Sequence, residues 1–489
     1  MAEQSLKDKT VKGVFWSAAD TFLGNGVTFF VGIVLARLLS PDEYGLIGLV
    51  LIFTVVLTSV VDAGFTQALV RKKDTTDDDY NTMFITNMVS SLLMFALLFV
   101  CAPYIAAFFS RPELTSIARV MGLILIFQAL SITQTTILIK RIDFKTRTKA
   151  SVVSSIISGA VGISMAYMGY GVWALVGQKL AVTLIYTLCM WALIRWWPKF
   201  TFSMQSFHYM WGFGWKLMVS RILNTTWDQL YQVVVGKFYS PATLGQYSKS
   251  QEFASIFSSH FSSIIQRVTY PALAEVQNET ERMVAAYRRV IKETMFVTSI
   301  MMMGLAAVAE PFIYCLIGPQ WDMAASFLPF LCISWSFYPL HAINLNMLQV
   351  QGRSDIFLYL EIVKKIIGLG PLFLGIFVGI YWMIFSSIIT GFISFLLNSY
   401  YTGKRLNYTS WMQLRDIAPS FKLALVIAVA IFFLKYLSIS YWIILPLQII
   451  IGAGLFFLIC ERVKMREYIE LKIIAEKAIV KFKILYNNK

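Results

Sequence analysis

Fourteen stretches of mostly apolar residues, each roughly twenty long, follow one another along this chain. A helix of that length reaches across about 30 Å of hydrocarbon. Water is missing there, so a backbone can cross only if it satisfies its own N–H and C=O groups, which an α-helix does. The spans fall near 13–36, 45–70, 81–109, 114–139, 150–168, 171–194, 207–236, 243–272, 294–317, 323–350, 356–378, 381–403, 417–434 and 441–460. With 57% hydrophobic and 14% charged residues among 489, a water-soluble enzyme is excluded. The expected fold class is all-α: a polytopic membrane protein of about fourteen transmembrane helices.

The formal net charge of +15 would raise the question of nucleic acid in a soluble domain, but here membrane geometry accounts for it and no nucleic-acid partner is expected. The tails and alternate loops 1–12, 71–80, 140–149, 195–206, 273–293, 351–355, 404–416 and 461–489 hold 29 of the 42 basic residues. The opposite loops hold Arg37, Arg111, Lys237 and Lys435. Positive loops resist translocation, so both termini are expected in the cytoplasm. Residues 1–12 lack the short apolar core and cleavage site of a signal peptide, and the first span is expected to be retained. The tail 461–489 sets Lys472, Lys477, Lys481 and Lys483 among Ile473, Ile474, Ile479 and Val480, the pattern of an amphipathic helix at an anionic membrane surface.

The sequence also repeats itself. Trp16–Leu39 runs into Ser40-Pro41-Asp42-Glu43-Tyr44-Gly45, and Trp215–Tyr239 runs into Ser240-Pro241-Ala242-Thr243-Leu244-Gly245. A second landmark recurs as Gly171-Val172-Trp173 and Gly379-Ile380-Tyr381-Trp382. The matching helices are the first and the seventh, so the duplication is parallel and gives two six-helix lobes. The expected organisation is an N-lobe at 1–206, a C-lobe at 207–416, an additional helix pair at 417–460 and the basic tail at 461–489.

Ionisable groups at bilayer depth are costly unless they meet a watery cavity or one another. On the seventh span Arg221, Asn224, Thr225, Asp228 and Gln232 share a helical face; on the eighth, Lys249, Glu252, His260, Ser263 and Arg267 do. Of these, Arg221, Asn224, Thr225, Gln232, Lys249, Ser263 and Arg267 are candidate substrate contacts. Asp228 and Glu252, with Asp20 and Asp62 in the repeat-mate helices, are candidates for ion coupling or charge balance. The plainer reading makes them ion pairs that hold helices together: Lys249 with Glu252, three apart, suits a local pair, as do Glu361 and Lys365, four apart.

No histidine or cysteine cluster has metal-ligand spacing, and no phosphate-binding glycine loop precedes a Lys-Ser or Lys-Thr, so neither a metal nor another cofactor is expected. Asp77-Asp78-Asp79 suits the positive start of the third span better than a glycosyltransferase site. The short outer loops leave no room for a catalytic domain, and no enzyme activity is expected.

Fourteen helices, a parallel six-plus-six duplication and a trailing pair resemble the multidrug, oligosaccharidyl-lipid and polysaccharide exporter superfamily. Lys7-Asp8-Lys9-Thr10-Val11-Lys12-Gly13-Val14-Phe15-Trp16-Ser17-Ala18 looks like the start of Wzx-type flippases, close to the colanic-acid branch. Leu35 to Gly45, Asp62-Ala63-Gly64-Phe65 with Ala68 to Lys72, and Tyr270-Pro271-Ala272-Leu273-Ala274 with Gln277 point the same way. The resemblance implies a multi-pass protein of the bacterial inner membrane. It would move an undecaprenyl-pyrophosphate-linked oligosaccharide between leaflets by alternating access, with a cationic cavity, an H+ or Na+ gradient, membrane lipids around it and a polysaccharide polymerase complex as partner. An ion-coupled drug antiporter would favour carboxylates in its cavity, whereas these spans hold nine basic and six acidic residues. The same spans are also compatible with a peptidoglycan-precursor flippase and with a scaffold for glycan assembly.

Overall fold

The computed structural model describes residues 24, 26–276, 279–473 and 476. Among them there are helices and no strand, the outcome expected of an all-α membrane protein. In chain order the helices are α1 (Gly26–Leu38), α2 (Pro41–Val61), α3 (Phe65–Arg71), α4 (Asp77–Phe109), α5 (Leu114–Met121), α6 (Leu123–Arg141), α7 (Phe144–Tyr167), α8 (Val172–Leu193) and α9 (Met204–Phe238). There follow α10 (Pro241–Glu275), α11 (Thr280–Ala307), α12 (Ala309–Leu316), α13 (Asp322–Trp335), α14 (Tyr338–Val350), α15 (Ser354–Phe377), α16 (Ile380–Leu406), α17 (Ser410–Phe432), α18 (Tyr441–Val463) and a short α19 at 466–473.

Ten helical segments among the described residues are long and apolar enough to cross a bilayer. The remaining expected spans fall on α1, of which only thirteen residues are described, and on α9, α10 and α15. These last three reach 35, 35 and 24 residues but carry the polar stripes, so apolarity alone does not count them.

Helix starts follow local chemistry. Ser40 caps α2, Pro41 opens it, and Glu43 returns a hydrogen bond to the Ser40 N–H. Thr76 and Asp79 form the same reciprocal cap on α4, and Asp79 also takes Lys72 Nζ at 2.7 Å. The Asp77–Asp79 run is therefore a helix start: Asp78 accepts from the Thr201 hydroxyl at 2.8 Å, and Asp77 lies 3.8 Å from Lys199.

Packing divides the chain into compact units Met1–Gly245 and Gln246–Lys489. This boundary lies beyond the repeat boundary at 206/207, and α9 packs with the first unit against α2, α3 and α4. In that unit, connections assigned to one membrane side meet. Lys140 Nζ donates to the Lys72 and Lys73 carbonyls and to the Thr75 hydroxyl, while Asn81 binds Thr201 and the Lys199 N–H. Connections assigned to the other side meet too: Arg111 reaches Asp42 at 3.4 Å, and Lys237 Nζ donates to the Phe108 carbonyl.

At that second end the two Ser-Pro landmarks touch reciprocally. A Cβ on Gly45 would strike the Pro241 carbonyl, and a Cβ on Gly245 would strike the Pro41 carbonyl. The glycine four residues after each proline is thus the place where its helix start crosses the backbone of the repeat mate.

The second unit packs α11 along α17 and α15 along α16, around Tyr287, Met295, Leu340, Met347 and Phe395. Its buried polar groups are tied together: the Tyr287 hydroxyl donates to Asn344 Oδ1 at 2.7 Å, and Asn344 Nδ2 donates to Gln413 Oε1 at 3.3 Å. Asp416 accepts from Arg288, from Lys292 at 3.3 Å and from the Tyr408 hydroxyl at 2.9 Å. Burial, with Asp416 beside it, pushes the Tyr408 hydroxyl well above the usual phenol range.

Overpacking against backbone costs about 1–3 kcal/mol. Gly45→Ala and Gly245→Ala are each expected to lower the thermal midpoint of the detergent-purified protein by about 1–3 °C. Gly454→Ala, whose Cβ would meet nothing within 4 Å, should leave it unchanged; equal midpoints for all three variants would contradict the crossing.

Candidate functional site: a polar cavity in the first unit

Helix α2 stops at Asp62, where Ala63 and Gly64 take positive φ of 47° and 75°, and α3 restarts at Phe65. Only glycine holds such a conformation without strain, which accounts for the Gly64 of the Asp62-Ala63-Gly64-Phe65 motif. The turn is also crowded. A Cβ on Gly64 would lie 2.7 Å from the Gly214 carbonyl, and one on Gly214 would lie 2.5 Å from the Ala63 carbonyl. Gly214 therefore lets α9 settle its backbone onto the break.

Seven residues, or about two turns, further along α9 comes Arg221, on the same face as Gly214. Its guanidinium lies 3.7 Å from Asp62 Oδ2. One more turn brings Thr225, whose hydroxyl is 3.5 Å from that of Ser59 on α2. Asp62 also accepts from the Thr66 hydroxyl at 2.7 Å and the Thr66 N–H at 3.3 Å, and Thr66 stands 3.1 Å from the Thr136 hydroxyl on α6. The Asp62 side chain is 12% exposed, Arg221 55%.

This pair opens onto a cavity of about 470 Å³ whose described lining residues all belong to the first unit. Helix α6 lines it with Gln128, Ser131 and Thr135, and α7 with Arg147, Ser151, Ser154 and Ser155, each set at helical spacing. Tyr186 of α8 closes another wall, its hydroxyl 3.3 Å from that of Thr135. Among the described residues the charged lining is Arg147, Arg221 and Asp62, with hydroxyls and a carboxamide around them. Such a wall can hold a doubly ionised phosphate group and hydrogen-bond a polyol.

Of the expected contacts, the structure brings together Arg221, Thr225 and Asp62. Asn224 and Asp228 lie exposed on α9 and Gln232 is half-buried there, none of them lining the cavity. Lys249 and Glu252 belong to the second unit, where they form the local pair at 2.8 Å. Ser263 and Arg267 lie on α10, but their side chains, like Asp20 as a whole, are outside the described residues. Glu361 pairs with Lys364, three residues on. Arg147 is the main omission. Counting it as loop charge hid the stripe Arg147, Ser151, Ser154 and Ser155, whose period continues into the span and would have exposed it.

Comparison with known proteins places this geometry. Residues 34–326 match a family model described as polysaccharide biosynthesis protein. The succinoglycan biosynthesis transport protein ExoT of Rhizobium meliloti (strain 1021) is 27% identical over 372 residues, covering 76% of this chain and 75% of ExoT. The teichuronic acid biosynthesis protein TuaB of Bacillus subtilis (strain 168) is 24% identical over 357 residues, covering 73% of this chain and 74% of TuaB. Among solved structures, an inward closed conformation of the lipid II flippase MurJ superposes with a TM-score of 0.74 at 15% identity, over 93% of this chain and 100% of that one, which is a likeness of fold. These relatives carry names of different polysaccharides and do not single out the colanic-acid branch.

The Ser59 and Thr225 hydroxyls are close enough that Ser59→Cys combined with Thr225→Cys should cross-link under mild oxidation, each single variant serving as control for the five native cysteines. Adding Gly214→Leu should abolish the cross-link by lifting α9 off the Ala63–Gly64 turn. A cross-link that persists unchanged would show that the turn does not set the register.

Proposed function

Because the chain belongs to the polysaccharide biosynthesis protein family, we propose that it is a flippase for lipid-linked oligosaccharides. Its cargo is an undecaprenyl-pyrophosphate-linked glycan repeat unit, carried from the cytoplasmic to the periplasmic leaflet of a bacterial inner membrane by alternating access. The observation that carries this reading is the polar cavity with Arg147 and Arg221 in its wall. A diphosphate cannot enter hydrocarbon without compensation, because an unpaired buried ion is prohibitively unstable. Two guanidinium groups supply that compensation as paired N–H donors, which a single lysine would not match in geometry.

The presence of two arginines among the described lining residues suits an anionic cargo better than the organic cations of a drug antiporter. Asp62 neutralises Arg221 while the site is empty and yields it to the phosphate on binding. The same exchange makes Asp62 the foremost candidate for a coupling proton, since protonating it frees Arg221. The hydroxyls of Ser131, Thr135, Ser154 and Tyr186 suit sugar groups, and the prenyl chain stays in lipid. All fourteen spans are taken as membrane-crossing, with both termini in the cytoplasm and a polysaccharide polymerase complex as partner. No chemical step is assigned to the protein.

Removing one charge-assisted contact costs about 1.5–3 kcal/mol, a factor of about ten or more. In proteoliposomes loaded with a polyprenyl-pyrophosphate oligosaccharide, Arg147→Ala and Arg221→Ala should each slow leaflet exchange at least tenfold, with Lys at either position restoring part of it. A polyprenyl-pyrophosphate muropeptide in the same vesicles tests whether the cargo is instead a peptidoglycan precursor. Full exchange by folded Arg147→Ala and Arg221→Ala proteins would refute the cavity assignment.

A further inference from the structure

A second enclosure belongs to the other unit and plays no part in the proposal above. A groove of about 990 Å³ runs between the first turns of α11, the Leu406–Asn407 connection and α19. Its depth in the membrane can be read from two helices. Helix α11 carries no charge from Thr294 to Ala307 but is densely charged before that, and α18 carries none until Glu461. Both helices become charged at the groove, so it lies at the level of lipid headgroups. Helix α19 fits an interfacial position: Ile469 and Ile473 are exposed on one side, while Tyr468 packs on Phe456 and Phe457.

Among the described residues the lining holds five basic side chains and four carboxylates. The inner ones are committed to one another. Arg288 and Lys292 share Asp416, and Arg289 spans Glu293 at 2.7 Å and Glu470 at 3.1 Å. The rim differs. Arg282, its side chain 70% exposed, reaches Glu279 at only 3.4 Å, and Arg466, 86% exposed, holds a single pair with Glu470 at 2.8 Å. Exposed pairs of this kind contribute about 0–1 kcal/mol and exchange readily for a better anion. Each rim arginine has a carboxylate as its chain neighbour, Glu281 beside Arg282 and Glu467 beside Arg466.

A purely anionic ligand would bring its charge against four carboxylates, and a purely cationic one against five basic groups. A ligand carrying both charges a few ångströms apart matches both sets. We infer that the groove binds the headgroup of an aminophospholipid, with its phosphodiester on Arg282 and Arg466 and its primary ammonium on Glu281 and Glu467.

The test is native mass spectrometry of the full-length protein in detergent, titrated separately with phosphatidylethanolamine, phosphatidylcholine and phosphatidylglycerol. The ethanolamine lipid should be retained at least threefold better than either other lipid. The combined Arg282→Ala and Arg466→Ala variant should cut its occupancy at least fivefold, and combined Glu281→Gln and Glu467→Gln should erase its advantage over the choline lipid. Soluble phosphoethanolamine should displace it where inorganic phosphate does not, which separates headgroup recognition from plain anion binding. Equal retention of the glycerol lipid, displacement by inorganic phosphate, or full occupancy in the arginine variant would each overturn the inference. These residues lie on the surface, so an unchanged thermal midpoint checks that the variants fold.

Discussion

A guanidinium at membrane depth needs water or a counter-ion beside it, and the first unit is built to give Arg221 both. The counter-ion is Asp62 at 3.7 Å, and the water-sized space is the cavity that the pair opens onto. The break follows Asp62 directly, and the Ala63–Gly64 turn is where the backbone of α9 settles against α2, which brings Arg221 to the level of Asp62. The break rests on Gly64 at positive φ, and the approach of α9 rests on Gly214, which has no Cβ to hold it off. Two glycines on different helices thus position two opposite charges, and the remaining walls follow from packing α6, α7 and α8 around them.

The duplication acts at the other end of the same unit. Gly45 faces the Pro241 backbone and Gly245 faces that of Pro41, so each repeat supplies the gap into which the other's helix start fits. Any side chain at either glycine would meet a backbone carbonyl, which cannot rotate away.

Much of the fold was legible because hydrocarbon imposes one rule everywhere. Apolar length gave the helices, alternate basic loops grouped their ends, and the meetings of Lys140 with the Lys72 carbonyl and of Arg111 with Asp42 agree with that grouping. The site was legible only in part, and for a physical reason. A stripe on one helix reveals that a face is polar without saying what it faces, so Arg221, Thr225 and Asp62 were each visible while their pairing, and the part of Ser59, came from the tertiary contact at Gly214. Arg147 escaped because it sits on the first turn of α7, where a basic residue looks like an ordinary loop charge. The stripe on α10 resolved, at Lys249 and Glu252, into the local pair that its three-residue spacing allows.

The pairs Arg288–Asp416 and Arg221–Asp62 are built differently, and the contrast between them distinguishes a scaffolding contact from an exchangeable one. Asp416 is 6% exposed and takes donors from Arg288, Lys292 and Tyr408, joining α11, α17 and the loop between α16 and α17. Removing one donor there leaves a buried charge undercompensated, a loss of about 3–5 kcal/mol, and no incoming ligand can replace three fixed groups at once. Asp62 meets Arg221 at a longer distance and without a fork, and over half of the Arg221 side chain faces open space. Thr66 holds the carboxylate independently through two hydrogen bonds, so it remains solvated when the arginine leaves. A pair whose acid is separately satisfied and whose base is accessible can be exchanged at little cost, which is the property required of a group that must take up and release an anion in every cycle.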